Sequence, residues 1–73
     1  MALQNGPAIR AIRRSAGRTQ VDIAEAAGID QSYLSLLESE NRTASPDVIK
    51  AIADALGVPA EILHRPDREQ QVA

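Results

Sequence analysis

The chain contains no cysteine, no phenylalanine and no tryptophan, and each gap removes a class of protein. Without thiols there is neither a disulfide framework nor a thiolate metal site. Tyr33 is the single aromatic residue, so the stacked platforms that hold single-stranded nucleic acid have nothing to be built from, which argues against an RRM or cold-shock domain. Long apolar runs are also missing. No stretch approaches the roughly 18 residues of a membrane span, and the N-terminus lacks the apolar core and cleavage site of a secretory signal, so a cytoplasmic protein is expected. Catalytic equipment is equally sparse. His64 is the only histidine and has no acidic or thiol companion at catalytic spacing, whereas a metal site needs about three or four ligands. Ser15, Ser32, Ser35, Ser39 and Ser45 fall at helix-surface or cap positions, and there is no glycine-rich phosphate loop. The expectation is a non-enzyme with no cofactor, no metal and no small-molecule effector.

What is present is a small-aliphatic mixture. The 73 residues are 44% hydrophobic, dominated by Ala, Ile, Leu and Val, which suits closely packed short helices better than strands and predicts one all-α domain. A chain this short buries only about 60% of the surface its unfolded form exposes, so it gains from pairing with a second copy. The formal net charge of −2 argues mildly against nonspecific nucleic-acid or membrane binding, but the charge is unevenly spread. Arg10, Arg13, Arg14 and Arg18 precede Thr19 without a single acid, and all ten acidic residues follow it.

Apolar spacing and end signals predict five helical segments. Pro7 opens the first, with Ile9, Ile12 and Ala16 on one side and Gly17 as its stop. Thr19 caps the second, with Asp22 three residues later in a weak capping box, Val21, Ile23, Ala24 and Ala27 on the apolar side, and Gly28 at the exit. Asp30 caps the third only two residues beyond that glycine, and Leu34 and Leu37 form its buried stripe. A connection that short predicts a steep crossing, as in a helix-turn-helix. Ser45 and Pro46 open the fourth, with Val48, Ile49, Ile52, Ala53 and Leu56 inward until Gly57. A last turn runs from Pro59 to Leu63. Residues 1–6 are read as an arm, 7–63 as the domain and 64–73 as a polar tail expected to fray.

Within this framework the stretch TQVDIAEAAGIDQSYLSLLE, from Thr19 to Glu38, resembles the helix-turn-helix of the phage-repressor and Cro (XRE) family of DNA-binding proteins. Thr19-Gln20 opens helix 2, Ala24 is the small residue where helices 2 and 3 meet, Gly28 makes the turn, and Leu34 with Leu37 faces inward. The downstream IADALGV, Ile52 to Val58, is similar to the family's fourth helix and its exit. The resemblance implies a compact five-helix lambda-repressor-like domain. It also implies a transcriptional regulator, a repressor, that lays helix 3 in the major groove of double-stranded DNA as a symmetric pair on a palindromic operator. When bound, such a bacterial or phage-type protein associates with the nucleoid.

With Leu34 and Leu37 inward, Gln31, Ser32, Ser35 and Leu36 remain on the outer face of helix 3. The Gln31 amide presents a donor and an acceptor that match the N7/N6 edge of adenine. Ser32 and Ser35 can bond to bases or to phosphates. Leu36 is read as a base-reading residue that meets a thymine methyl, a partly buried site being its other destination. Tyr33 suits a phosphate contact or packing. The resemblance assigns phosphate contacts to Thr19 and Gln20, at the positive end of helix 2, and to Asn41 and Arg42 after helix 3. It also implies a structural ion pair between Arg13 and Glu38. Arg10, Arg14 and Arg18 form either a diffuse positive rim or a solvated face. Val58, Ile62 and Leu63 are candidates for the pairing surface, or else seal the monomer's own core.

The chain departs from the family pattern at three points. Glu40 replaces a glycine, so positive φ must fall on Glu40 or Asn41. Ala44 replaces a proline, and Glu38 and Glu40 bring negative charge near the phosphate track. The competing reading is an antitoxin-like or adaptor module on the same fold whose helix surface binds a polypeptide, which the net acidity and Leu36 favour.

Overall fold

A computed structural model describes residues 2–65. Four α-helices, α1 (Gly6–Ser15), α2 (Gln20–Ala27), α3 (Gln31–Glu38) and α4 (Pro46–Leu56), are followed by one 3-10 turn at Ala60–Leu63. The all-α class is as expected, but the fifth helix is only that turn. Its chain is taken up at once by pairing with the N-terminal segment. Gln4 and His64 form an antiparallel bridge, the Asn5 N–H donates to the Leu63 carbonyl at 2.7 Å, and the Arg65 N–H donates to the Leu3 carbonyl at 2.8 Å. Residues 66–73, the larger part of the expected tail, lie outside the described residues.

Local chemistry accounts for the helix boundaries. The Thr19 hydroxyl accepts the Asp22 N–H at 3.0 Å while the Asp22 carboxylate accepts the Thr19 N–H at 3.0 Å, a complete capping box rather than a weak one. Asp30 accepts the Ser32 N–H at 3.2 Å and Ser45 accepts the Val48 N–H at 3.3 Å. α1 begins one residue before Pro7, because Asn5 supplies the cap by accepting the Ala8 N–H at 3.1 Å. Gly28 sits at φ 72°, the left-handed region that closes α2 with the Ile29 N–H on the Ala24 carbonyl at 2.9 Å. This leaves only Ile29 and Asp30 before α3.

The core gathers Ile9, Ile23, Leu34, Leu37, Ile49, Ile52 and Leu63, all fully buried, around Ala24, Ala44 and Ala53. Two residues expected on apolar faces lie outside it. Val21 is 50% exposed because the buried stripe of α2 runs through Ile23, Ala24 and Ala27, and Ala16 is exposed beyond the end of α1. Residues 2–6, read from the sequence as an arm, rest against the body, with Ala2, Gln4 and Gly6 buried. Gly6 approaches the end of α3 so closely that a Cβ there would lie 2.7 Å from the Leu37 carbonyl oxygen and nearer still to that of Glu38.

Candidate nucleic-acid interface

α3 turns Leu34, Leu37 and Glu38 inward and leaves Gln31, Ser32 and Leu36 exposed, with Ser35 and Tyr33 half-buried. Leu36, at 37% exposure, belongs to the outer face rather than the core. Tyr33 packs against the core, and the Arg42 guanidinium stands over its ring at 5.8 Å from the centroid. The Ser32 hydroxyl donates to the Asp30 carboxylate, so at rest it is engaged in the cap of its own helix.

Beneath this face runs a connected polar network. Arg13 donates to the Glu38 carboxylate through Nε at 2.7 Å and Nη2 at 3.1 Å, with Arg13 and Glu38 side chains only 9% and 0% exposed. Arg13 Nη1 also donates to the Arg18 carbonyl at 2.9 Å. Arg10, expected from the sequence on either a diffuse positive rim or a solvated face, reaches the same carboxylate with Nε at 3.4 Å. Gln20 Nε2 donates to Glu38 at 3.1 Å, and Gln20 Oε1 in turn accepts from Gln31 Nε2 at 2.7 Å. A chain of hydrogen bonds therefore joins the buried ion pair to the exposed N-terminus of α3.

The loop after α3 folds back on that helix. The Asn41 N–H donates to the Leu36 carbonyl at 2.9 Å, and the Asn41 side chain donates to Ser39 Oγ at 2.9 Å. The positive φ falls on Glu40, at 64°. A non-glycine residue there costs about 1–2 kcal/mol, opposed by the bonds its side chain makes, since the carboxylate accepts the Gly6 N–H at 2.8 Å and pairs with Arg65. Gln4 completes the loop from below. Its Nε2 donates to the Leu37 and Arg42 carbonyls at 3.0 and 2.8 Å, and its Oε1 accepts the Ala44 N–H at 2.9 Å. A proline at position 44 would have no N–H to give this buried amide.

A model of the family described as "Helix-turn-helix" matches residues 9–63. The chain belongs to this family, in its phage-repressor (XRE) branch. Two relatives are each 40% identical to it: the HTH-type transcriptional regulator YazB of Bacillus subtilis, over 86% of this chain and 91% of YazB, and the immunity repressor protein of Bacillus phage phi105, over 73% of this chain. The match covers only 37% of the phage repressor's length. Among solved structures, SinR of Bacillus subtilis, a master regulator for biofilm formation crystallised with DNA, superposes with a TM-score of 0.72 at 30% identity, covering 77% of this chain and 90% of that one.

For a helix-turn-helix protein the electrostatics of this face matter, and both acids that threatened the phosphate track are engaged internally. Burial pushes the Glu38 carboxyl up, but bonds from Arg13 and Gln20, the charge of Arg13 and the bond from Arg10 together hold it below its ordinary value. The same bond to Glu38 raises Arg13 against the opposing effect of burial. Glu40 is held low by Arg65 and then by the Gly6 N–H. Arg14, Arg18 and Arg42 stay exposed.

Of the proposed pairing residues, Leu63 must be withdrawn because it is fully buried in the core of a single copy. Val58 is half-buried against that core, and Ile62 is 49% exposed. Among the described residues no group of three or more His, Asp or Glu side chains is placed to hold a metal, and no helix is long and apolar enough to cross a membrane. Gln4 and Gly6 are structural participants that the sequence did not reveal, and of Glu40 it revealed the candidate positive φ but not the partners Gly6 and Arg65. A polar residue just before a helix cap was the only local sign of the first.

Proposed function

We propose that this chain is a sequence-specific, double-stranded DNA-binding transcriptional regulator, a repressor that occupies a promoter and reads the major groove with α3. The observation that carries this reading is the position of Gln31, exposed at the N-terminus of α3 with its amide held by Gln20 rather than free to rotate. Gln31 then reads a base edge, Ser32 and Ser35 support it, and Leu36 meets a thymine methyl. Thr19, Gln20, Tyr33, Asn41 and Arg42 contact phosphates, Arg42 being steered by the Tyr33 ring. The Arg13–Glu38 pair holds α3 against α1 and touches no DNA.

The names of the relatives support this reading: one is a repressor, one a transcriptional regulator, and SinR was crystallised on DNA. Two copies would bind an inverted repeat with half-sites about one helical turn, roughly 34–36 Å, apart, pairing through the surface around Ile62 and Val58. The working location is the cytoplasm, at the nucleoid when bound. Electrophoretic shifts over a salt series test the proposal, since the log–log slope should be about −0.9 per phosphate neutralised. No shift on pooled genomic fragments would replace it with the adaptor reading, in which Leu36 docks a polypeptide.

A further inference from the structure

We infer that Glu38, buried under α3 and out of reach of any duplex, decides which atoms Gln31 offers to a base, acting through Gln20 as a specificity-determining positioning residue. This rests on the reading of Gln31 as a base reader. An ionised carboxylate can only accept hydrogen bonds, and that restriction propagates outward. Because Glu38 accepts, Gln20 must turn its NH₂ inward, with Nε2 at 3.1 Å from the carboxylate. The Gln20 carbonyl oxygen then points outward and can only accept. Gln31 must therefore spend one N–H on it, which it does at 2.7 Å.

What remains free on Gln31 is one N–H and one carbonyl oxygen. That pair complements adenine, whose major-groove edge offers the N7 acceptor beside the N6 donor. Guanine shows two acceptors there, N7 and O6, and needs two donors. With the relay inverted, Gln20 would present its NH₂ outward, the Gln31 oxygen would accept from it, and both N–H groups of Gln31 would become available to guanine. The charge on Glu38 thus excludes guanine at a position it never touches.

The test uses the full chain and an operator selected from random duplexes. The base pair read by residue 31 is the one whose substitution the Gln31→Ala variant no longer senses. Wild type should prefer adenine to guanine there by about tenfold or more. Glu38→Gln, whose side chain can donate as well as accept, should lose most of that preference at that base pair alone, and adding Gln31→Ala should relax it no further. Gln20→Leu, altered at a half-buried position outside the core, should do the same and keeps the test available if Glu38→Gln does not fold. A folded Glu38→Gln or Gln20→Leu protein that keeps the wild-type preference, or weakens on all duplexes equally, overturns the relay and leaves Gln31 as a reader. If Gln31→Ala itself changes preference at no position, the base-reading assignment falls and the relay with it.

Discussion

The helices meet in two chemically different ways. α2 and α4 pack through Ile23, Ala24, Ile49, Ile52 and Ala53, all buried and apolar. α1 meets α3 through Arg10 and Arg13 on Glu38 and through the backbone approach of Gly6 to the last carbonyls of α3, with Ile9 and Leu37 in the core beside them. The first contact is non-directional: apolar burial contributes about 25 cal/mol per Å² whatever the angle, so it supplies stability and accepts rearrangement. The second has donors, acceptors and a contact distance to satisfy, so it fixes one placement of α3. The directional contact lies under α3, the helix proposed to face DNA, whereas the adaptable one ties α2 to α4.

The sharpest way to break this contrast is to remove half of the ion pair. Glu38→Ala strands the Arg13 guanidinium, and a cost of about 3–5 kcal/mol in urea unfolding is expected. Replacing both partners, Arg13→Met with Glu38→Leu, should return most of that loss, and a single variant as mild as the double would mean that the contact is not directional. Next comes Gly6→Ala, whose new methyl meets two backbone carbonyls; overpacking of this kind costs about 1–3 kcal/mol, visible as a lowered Tm. On the apolar side Ile52→Val should cost only about 0.5–1.5 kcal/mol and leave DNA preference unaltered, so an altered preference would erase the distinction.

The smallest effect is an acid dependence. Glu38 and Glu40 both titrate below their ordinary value of 4.5 in the folded protein. Their contribution is fully present above that value and is lost as pH falls through the lower folded ones. Denaturant midpoints should therefore decline below about pH 4.5, and less steeply in Glu40→Gln, which lacks one of the two carboxyls.

The α2 to α4 boundaries and the buried stripe of α3 were legible in the sequence because their causes are local. Thr19, Asp30 and Ser45 cap backbone groups two or three residues away, and Gly28 acts on the turn that it occupies. Leu34, Leu37 and the exposure of Gln31 follow from the period of one helix. The parts that escaped have distant partners. Gln4 bonds residues 33 to 40 positions away, and Glu40 looked like a misplaced glycine until Gly6 and Arg65 came to its carboxylate. Leu63 illustrates the same limit in reverse: no local signal tells whether an apolar residue near the end of a domain faces its own core or a second copy.

The short pairing of residues 3–5 with 63–65 brings the entrance and the exit of the domain together, one amide from Arg65 lying on the carbonyl of Leu3. A loop of a few residues would join them, and the chain could then be opened at the exposed Gly57 turn with every helix intact. Such a circularly permuted protein would keep the exposed face of α3 while releasing both new ends at the turn after α4, a convenient place to attach a reporter.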